Sequence, residues 1–254
     1  MSDKRDQLYR QDDAKQTGNF RFDARVAEVF NDMISRSVPG YQQILEMLPT
    51  LVRQLFKQQA HSLTQVSEQQ YYDLGCSLGA GMLAISQGFT SDQEKCRIIG
   101  IDNSAEMLNE AKKKLTQFSQ FNFSLEQQDI QQTQITNAAL VLMNFTLQFI
   151  PLSERDQIIK SIYQGLHKGG ALILSEKIKF EDEQTHTQLT DIHHQYKADQ
   201  GYSQLEIAQK RDAIENVLIP ETLNTHIQRL QNAGFKVVTP WVQNLQFLSI
   251  IAVK

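Results

Sequence analysis

From residue 70 onward the chain alternates short apolar runs with longer amphipathic stretches, and the apolar runs end in polar residues or glycine. Gln70–Leu74, Cys96–Ile101, Asn122–Gln127, Leu140–Asn144 and Ala171–Ser175 read as strands. Helical spacing fills the intervals over 79–86, Ser104–Phe118 and Ser153–Leu166, the last closed by Lys168-Gly169-Gly170. Repeated strand–helix–strand units return the chain to the same end of a sheet each time. The strands therefore pair in parallel and the helices cover both faces. Few other architectures accept this pattern.

The flanks add to this frame. Residues 1–20 are polar and read as a mobile tail or a surface-hugging arm. Asp23 is placed to cap a helix whose apolar face carries Val26, Val29, Phe30, Met33 and Ile34. Ser37-Val38-Pro39-Gly40-Tyr41 breaks it, and a second amphipathic run follows, in which Pro49 predicts a kink or a new start. The polar stretch 181–218 interrupts the alternation and reads as a helical insertion, a lid or a dimer arm. Glu221–Ala233 reads as a helix stopped by Gly234, and Phe235–Trp241 and Phe247–Val253 as closing strands. At 254 residues, one domain (1–254) is the simplest organisation, with 1–58 as N-terminal tail and helical cap.

The charge balance narrows the function classes. A net charge of −4 argues against an extended nucleic-acid-binding face, whose affinity comes from neutralising phosphates. The two cysteines, Cys76 and Cys96, form no CxxC or CxxH pattern, so neither a disulfide scaffold nor a zinc site is indicated. No apolar stretch is long enough for a membrane span, and no signal core is visible, so a cytoplasmic protein is expected.

Four motifs stand at the carboxyl ends of the expected parallel strands, where open α/β sheets bind ligands. Asp73-Leu74-Gly75-Cys76-Ser77-Leu78-Gly79 ends one strand and opens a helix, with glycines that let backbone approach a ligand. Ser77 stands where a dinucleotide-binding loop has its middle glycine, which argues against an NAD enzyme. Asp102 follows the second strand, where a carboxylate can accept from both ribose hydroxyls, while Ser104 fits the helix cap better. Asp129 and Ile130 follow the third strand, with a loop aspartate in water as the alternative reading. Asn144 ends the fourth, apolar strand, so its amide needs a partner. The adjacent His193 and His194 point about 100° apart on a helix and form no metal pair; a surface helix is their expected home. Glu176 suits a proton acceptor or, equally, a structural group that caps or pairs with Lys177, and receives no assignment; Cys76 lacks a neighbouring base to make it a nucleophile.

The order of these motifs resembles class I methyltransferases, and the detail is more specific. FDARVAEVFNDMISRSVPGY, YDLGCSLGAG, IDNSAEML, NFTLQFI, YQGLHKGGALILSEK and GYSQLEIAQKRDAIENVL resemble the carboxy-S-adenosyl-L-methionine synthases from about residue 20 to the end. The resemblance implies a Rossmann-like class I methyltransferase fold with a mostly parallel seven-stranded sheet, helices on both faces and a C-terminal antiparallel strand. It implies binding of S-adenosyl-L-methionine without a metal. Its methyl carbon, deprotonated to an ylide-like centre, captures carbon dioxide from prephenate, and phenylpyruvate is released. The product, carboxy-S-adenosyl-L-methionine, feeds a downstream tRNA carboxymethyltransferase acting on a wobble uridine. A cytoplasmic homodimer is implied too.

Carried over residue by residue, the resemblance puts Tyr41 against the ligand and Gly75, Cys76 and Ser77 at its methionine end. Asp102 and Asn103 would hold the ribose and adenine side, Asp129 and Ile130 would flank the adenine, and Asn144 would sit near the sulfonium. Arg211 would reach the new carboxylate from the neighbouring subunit, which suits a planar guanidinium that can grip both oxygens. The same loop and acidic residues also suit an ordinary methyltransferase or a non-catalytic S-adenosylmethionine-binding partner protein.

Overall fold

The computed structural model describes residues 5, 6, 8, 23–60, 69–89, 96–118, 121–214 and 217–254. Seven strands form one sheet, β1 (Gln69–Leu74), β2 (Cys96–Asp102), β3 (Asn122–Gln127), β4 (Ala138–Asn144), β5 (Leu166–Lys177), β6 (Val237–Asn244) and β7 (Phe247–Val253). Their order is β3-β2-β1-β4-β5-β7-β6. The first five strands pair in parallel, while β7 runs antiparallel to both β5 and β6. The α-helices among the described residues are α1 (Ala24–Ser37), α2 (Tyr41–Ala60), α3 (Ala80–Ser86), α4 (Ala105–Leu115), α5 (Leu152–Gly165), α6 (Glu183–Asp199), α7 (Gln204–Ile214) and α8 (Leu223–Ala233). Most of the N-terminal polar stretch, residues 1–4, 7 and 9–20, lies outside the described residues.

Side chains alternate across each strand, so the sheet has two separate apolar cores. One packs Leu48 and Val52 of α2, Met82 of α3 and Leu108 of α4 on Tyr71, Leu140, Leu142 and Ile173. The other packs Ile158 and Ile162 of α5 and Leu230 of α8 on Leu74, Val141, Leu172 and Leu174. Caps fall where polar side chains reach free amides: Asp23 accepts from Arg25 and Val26, and Ser104 from Met107.

Several boundaries shift by a few residues from the sequence expectation, β6 to Val237–Asn244 and the end of α4 to Leu115 among them, and two departures bear on the packing. Pro49 lies inside one helix, α2, instead of starting a new one. Its lost donor costs one intrahelical bond, and the buried faces of Ile44, Leu48, Val52 and Leu55 on either side hold the helix together. The strand after α5 begins at Leu166, so Lys168-Gly169-Gly170 is not a helix stop. The β4–β5 register shifts between Ala138 and Leu140, opposite this segment, and Gly169 has φ +80°.

Arg155 of α5 is fully buried. It donates to the carbonyls of Ile150 (2.9 Å), Gln148 (3.1 Å) and Ile219 (2.9 Å) and pairs with Glu221 at 2.5 Å. Arg229 grips the same carboxylate at 2.7 Å. Removing one member of a buried, hydrogen-bonded ion network leaves charges and carbonyls unpaired. Arg155→Met is therefore expected to cost about 3–5 kcal/mol. Calorimetry should find a melting temperature roughly 10 °C below that of the parent.

Candidate functional site

Lateral partners in a parallel pair share a face, and every second residue along a strand returns to it. Asp73 is opposite Gly100 on β2 and Leu142 on β4, and Asn144 is opposite Ser175 on β5. Asp102, Asn144, Ser175 and Lys177 therefore project from the same face as Asp73, the face covered by α2, α3 and α4. All lie at the carboxyl edge. This gives a polar row across four strands, with carboxylates at the β1–β2 end and an ammonium at the β5 end.

The loop after β1 bends onto this row. Gly75 has φ +77°, Ser77 φ +50° and Gly79 φ +80°. Ser77 is thus a non-glycine residue held in the left-handed region, at the position where a glycine was missed in the sequence. Its amide donates to one Asp102 carboxylate oxygen at 2.9 Å, and the Ser104 amide donates to the other at 2.9 Å. The amides of Gly75 and Cys76 both donate to the Ile101 carbonyl, at 2.8 and 2.9 Å. Any Cβ on Gly75 would overlap the Thr146 side chain, so glycine is required there.

Asp73 is 3% exposed, and burial with the nearby Asp102 pushes its carboxyl up to about 7. Burial also raises Asp102, against the pull of its amide donors. A carboxylate that binds two amides still has lone pairs for ligand hydroxyls. The Asn103 amide donates to Asp129 at 3.1 Å on the exposed rim. Ile130 is half-buried and packs toward the α5 core. It also lines a cavity of about 290 Å³ with Leu74, Ile135 and Ser161, on the opposite side of the sheet from the polar row.

Tyr41 opens α2 beside Asp73. Burial and that carboxylate push its phenol upward. Its ring stands 6.3 Å from the Phe145 ring. Asn144 carries a buried side-chain oxygen without a hydrogen-bond partner among the described residues. An unsatisfied buried polar atom beside a loop that excludes a Cβ is the expected signature of a ligand contact. Cys76 is 4% exposed, and burial raises its thiol well above the usual value, which leaves it unreactive.

Arg211 does not join this set within the chain. It is exposed on α7 and pairs with Asp212 at 3.0 Å. Tyr41, Gly75, Ser77, Asp102 and Asn144 converge on the carboxyl edge, with Asn103 and Asp129 at its rim.

Sequence reasoning missed two supports. Glu176, which received no assignment, is 1% exposed and accepts from the amides of Leu147 and Gln148, both at 2.9 Å. It caps the turn after Asn144 and does not pair with Lys177. Burial pushes it up to about 8, against the pull of Arg155 and the amides. The available signal was parity: residue 176 faces away from the row that 175 and 177 join. His193, expected on a surface helix, is 4% exposed, donates from Nε2 to the Ser37 carbonyl at 2.8 Å and meets the Phe247 ring in a T-shaped contact with centroids 4.9 Å apart. The apolar neighbours that bury it come from other elements and are invisible in the local pattern. Among the described residues no cluster of three or more His, Cys, Asp or Glu residues is placed to hold a metal. No described helix is long and apolar enough to cross a membrane.

A family model described as a methyltransferase domain matches residues 72–170. The carboxy-S-adenosyl-L-methionine synthase of Hahella chejuensis is 46% identical over 258 residues, covering 100% of both chains. The synthase of the same name from Idiomarina loihiensis is 47% identical over 237 residues, 93% of each. Among solved structures, an O-methyltransferase family protein from Burkholderia thailandensis superposes with a TM-score of 0.60 at 15% identity. It is matched over 92% of this chain and 60% of its own. A putative O-methyltransferase from Nostoc punctiforme gives 0.58 at 17% identity, over 91% of this chain and 59% of its own. At such identities the structural likeness establishes the fold, a class I methyltransferase fold.

Burial and the cations Lys197 and Lys177 push His193 down to about 3, from an ordinary value of 6.5. The folded state thus keeps the imidazole neutral, and its contribution is present above pH 6.5 and lost as pH falls toward 3. Between pH 7 and 5 the expected loss is about 2 kcal/mol. His193→Gln retains a donor but cannot titrate. Urea denaturation at the two pH values should find its stability loss smaller than wild type by about that amount.

Proposed function

The chain belongs to the carboxy-S-adenosyl-L-methionine synthase family, and from that premise we propose that it converts S-adenosyl-L-methionine and prephenate into carboxy-S-adenosyl-L-methionine, phenylpyruvate and water, the ring hydroxyl of prephenate leaving with the proton lost from the methyl group. The observation that carries the reading is the polar row on one sheet face, with the orphaned Asn144 oxygen in its middle. When bound, S-adenosyl-L-methionine supplies a methyl carbon activated by the adjacent sulfonium.

The residues divide the work. Asp102 accepts from the ribose hydroxyls while its amide bonds to Ser77 and Ser104 keep the loop and helix α4 in place. Asn103 and Asp129 border the adenine, and Ile130, whose side chain packs toward α5, adds only its backbone there. The backbone of Gly75, Cys76 and Ser77 passes along the methionine portion, where no side chain could intrude at Gly75. Tyr41 and Asn144 stand at the sulfonium, and the Asn144 oxygen gains the polar partner it lacks. Arg211, exposed and paired among the described residues with its neighbour Asp212, is open to serve a second copy of the chain. In a homodimer it clamps the transferred carboxylate with two parallel N–H donors.

The product is a carboxymethyl donor for a downstream tRNA-modifying transferase, which places the protein in tRNA modification in the cytoplasm. This chain need not bind the nucleic acid itself, in keeping with its net charge of −4. The match to a methyltransferase domain over 72–170 favours a second reading, an ordinary methyl transfer from the same cofactor.

Incubation with S-adenosyl-L-methionine and prephenate, followed by mass spectrometry, separates the two. The expected result is S-adenosyl-L-methionine with one carbon dioxide added, together with phenylpyruvate. Bound but unchanged S-adenosyl-L-methionine would return the search to a methyl acceptor. Arg211→Ala is expected to slow product formation at least tenfold, and a full rate would remove its clamp role. Asp102→Ala should weaken S-adenosyl-L-methionine binding by at least tenfold in calorimetric titration, consistent with loss of a charge-assisted hydrogen bond worth about 1.5–3 kcal/mol. Unchanged affinity would refute the ribose assignment.

A further inference from the structure

Among the described residues, no ion pair neutralises the basic end of the polar row. Lys177 closes β5 two residues past Ser175, on the face that Asn144 shares. Its backbone is fixed by a 3.0 Å bond from its amide to Gln148, but its ammonium has no partner among the described residues. Lys197 on α6 is 8% exposed, and its ammonium likewise makes no hydrogen bond or ion pair among them. The charges that act on Lys197 are Lys177, Lys210 and Arg211, all cations. The carboxylate of Asp6 is already taken: it accepts from Tyr202 at 2.6 Å and lies 3.8 Å from Lys210. Asp32 is bound to Arg36 at 2.8 Å.

A largely shielded ammonium with no counter-charge is costly to keep in its charged form. Proteins keep such groups where an anion completes them. The neighbourhood is also built, not loose. Lys177 is the lateral partner of Phe247. That ring contacts His193 at 4.9 Å on one side and Phe145 at 6.0 Å on the other. The residue after Asn144 and the helix that carries Lys197 are therefore packed on a common aromatic wall.

We propose that Lys177 and Lys197 form an anion seat at the β5 end of the site and receive a carboxylate of the carboxyl donor. The inference rests on the reading of the chain as a synthase that uses prephenate, a dicarboxylate. It gives the two ends of the row separate tasks. Asp102 holds the hydroxyl-bearing cofactor, and the lysines orient the anionic partner beside Asn144 so that its carbon dioxide is released against the cofactor. Burial and the surrounding cations push Lys197 down to about 7, which is relieved when an anion arrives.

The test is a binding titration without turnover. The enzyme is loaded with S-adenosylhomocysteine, which lacks the reacting methyl, and titrated with prephenate by calorimetry. Lys177→Met and Lys197→Met are expected to bind S-adenosylhomocysteine within twofold of wild type and prephenate about 10- to 100-fold more weakly, the worth of a charged hydrogen bond. Lys197→Arg should recover most of that loss. Ligand-free Lys197→Met should melt at or above the wild-type temperature, because it removes an unpaired buried charge, whereas a lysine serving only the fold would lower it. Prephenate binding unchanged in both methionine variants overturns the seat. If wild type itself fails to bind prephenate, the functional reading fails. Malonate then tests the seat alone: binding that Lys197→Met abolishes supports it, and no binding by wild type overturns it.

Discussion

Strand alternation divides the carboxyl edge of this sheet, and the site depends on that division. Residues 73, 102, 144, 175 and 177 project to the face covered by α2, α3 and α4, while 176 projects to the α5 face. A slip of one residue in any of these strands would exchange the groups that meet a ligand for those that hold the scaffold. Glu176 and Arg155 act from below, pinning the amides and carbonyls of 147–150. Asp73, Asp102 and Asn144 act from above. The turn after Asn144 is held by one set of groups and leaves the other free.

The two sets handle charge in opposite ways. Below the sheet, Arg155, Arg229 and Glu221 are mutually paired, so their desolvation is offset by short contacts. Above it, the polar atoms are left open: the Asn144 oxygen lacks a partner among the described residues, and the charges that act on Lys197 are cations. Unpartnered atoms occur elsewhere as well, both nitrogens of the buried His226 among them, but the Asn144 oxygen is the one that stands in the polar row at the carboxyl edge.

Much of this was legible in the sequence because it is local. The strand–helix alternation, and with it the parallel pairing of the first five strands, is read along the chain. The caps at Asp23 and Ser104 and the loop from Gly75 to Gly79 are read within a few residues. What escaped is non-local. Glu176 finds its amides 28 and 29 residues away, His193 reaches Ser37 across 156, and Arg155 looks like an ordinary charge on an amphipathic helix until Ile219 and Glu221 close over it. The absence of a partner, as at Lys197, is harder still to read, since it requires knowing where every acid went. The β5 boundary was misplaced because Gly169-Gly170 signals a helix stop as strongly as it permits a strand irregularity.

The turn from Asn144 to Ile150 crosses the top of the sheet. Phe145, with φ +58° and its amide bound to the Ser175 carbonyl, drops its ring among Ile44 and Phe247 on one side. Two residues later Leu147 is buried in the opposite core. The segment is a staple whose legs stand in different layers. Its length is consequently a fixed dimension of the molecule: one residue more or fewer would pull a leg out of its core, so variation among descendants of this chain must work by exchanging side chains here and can add or delete residues only elsewhere.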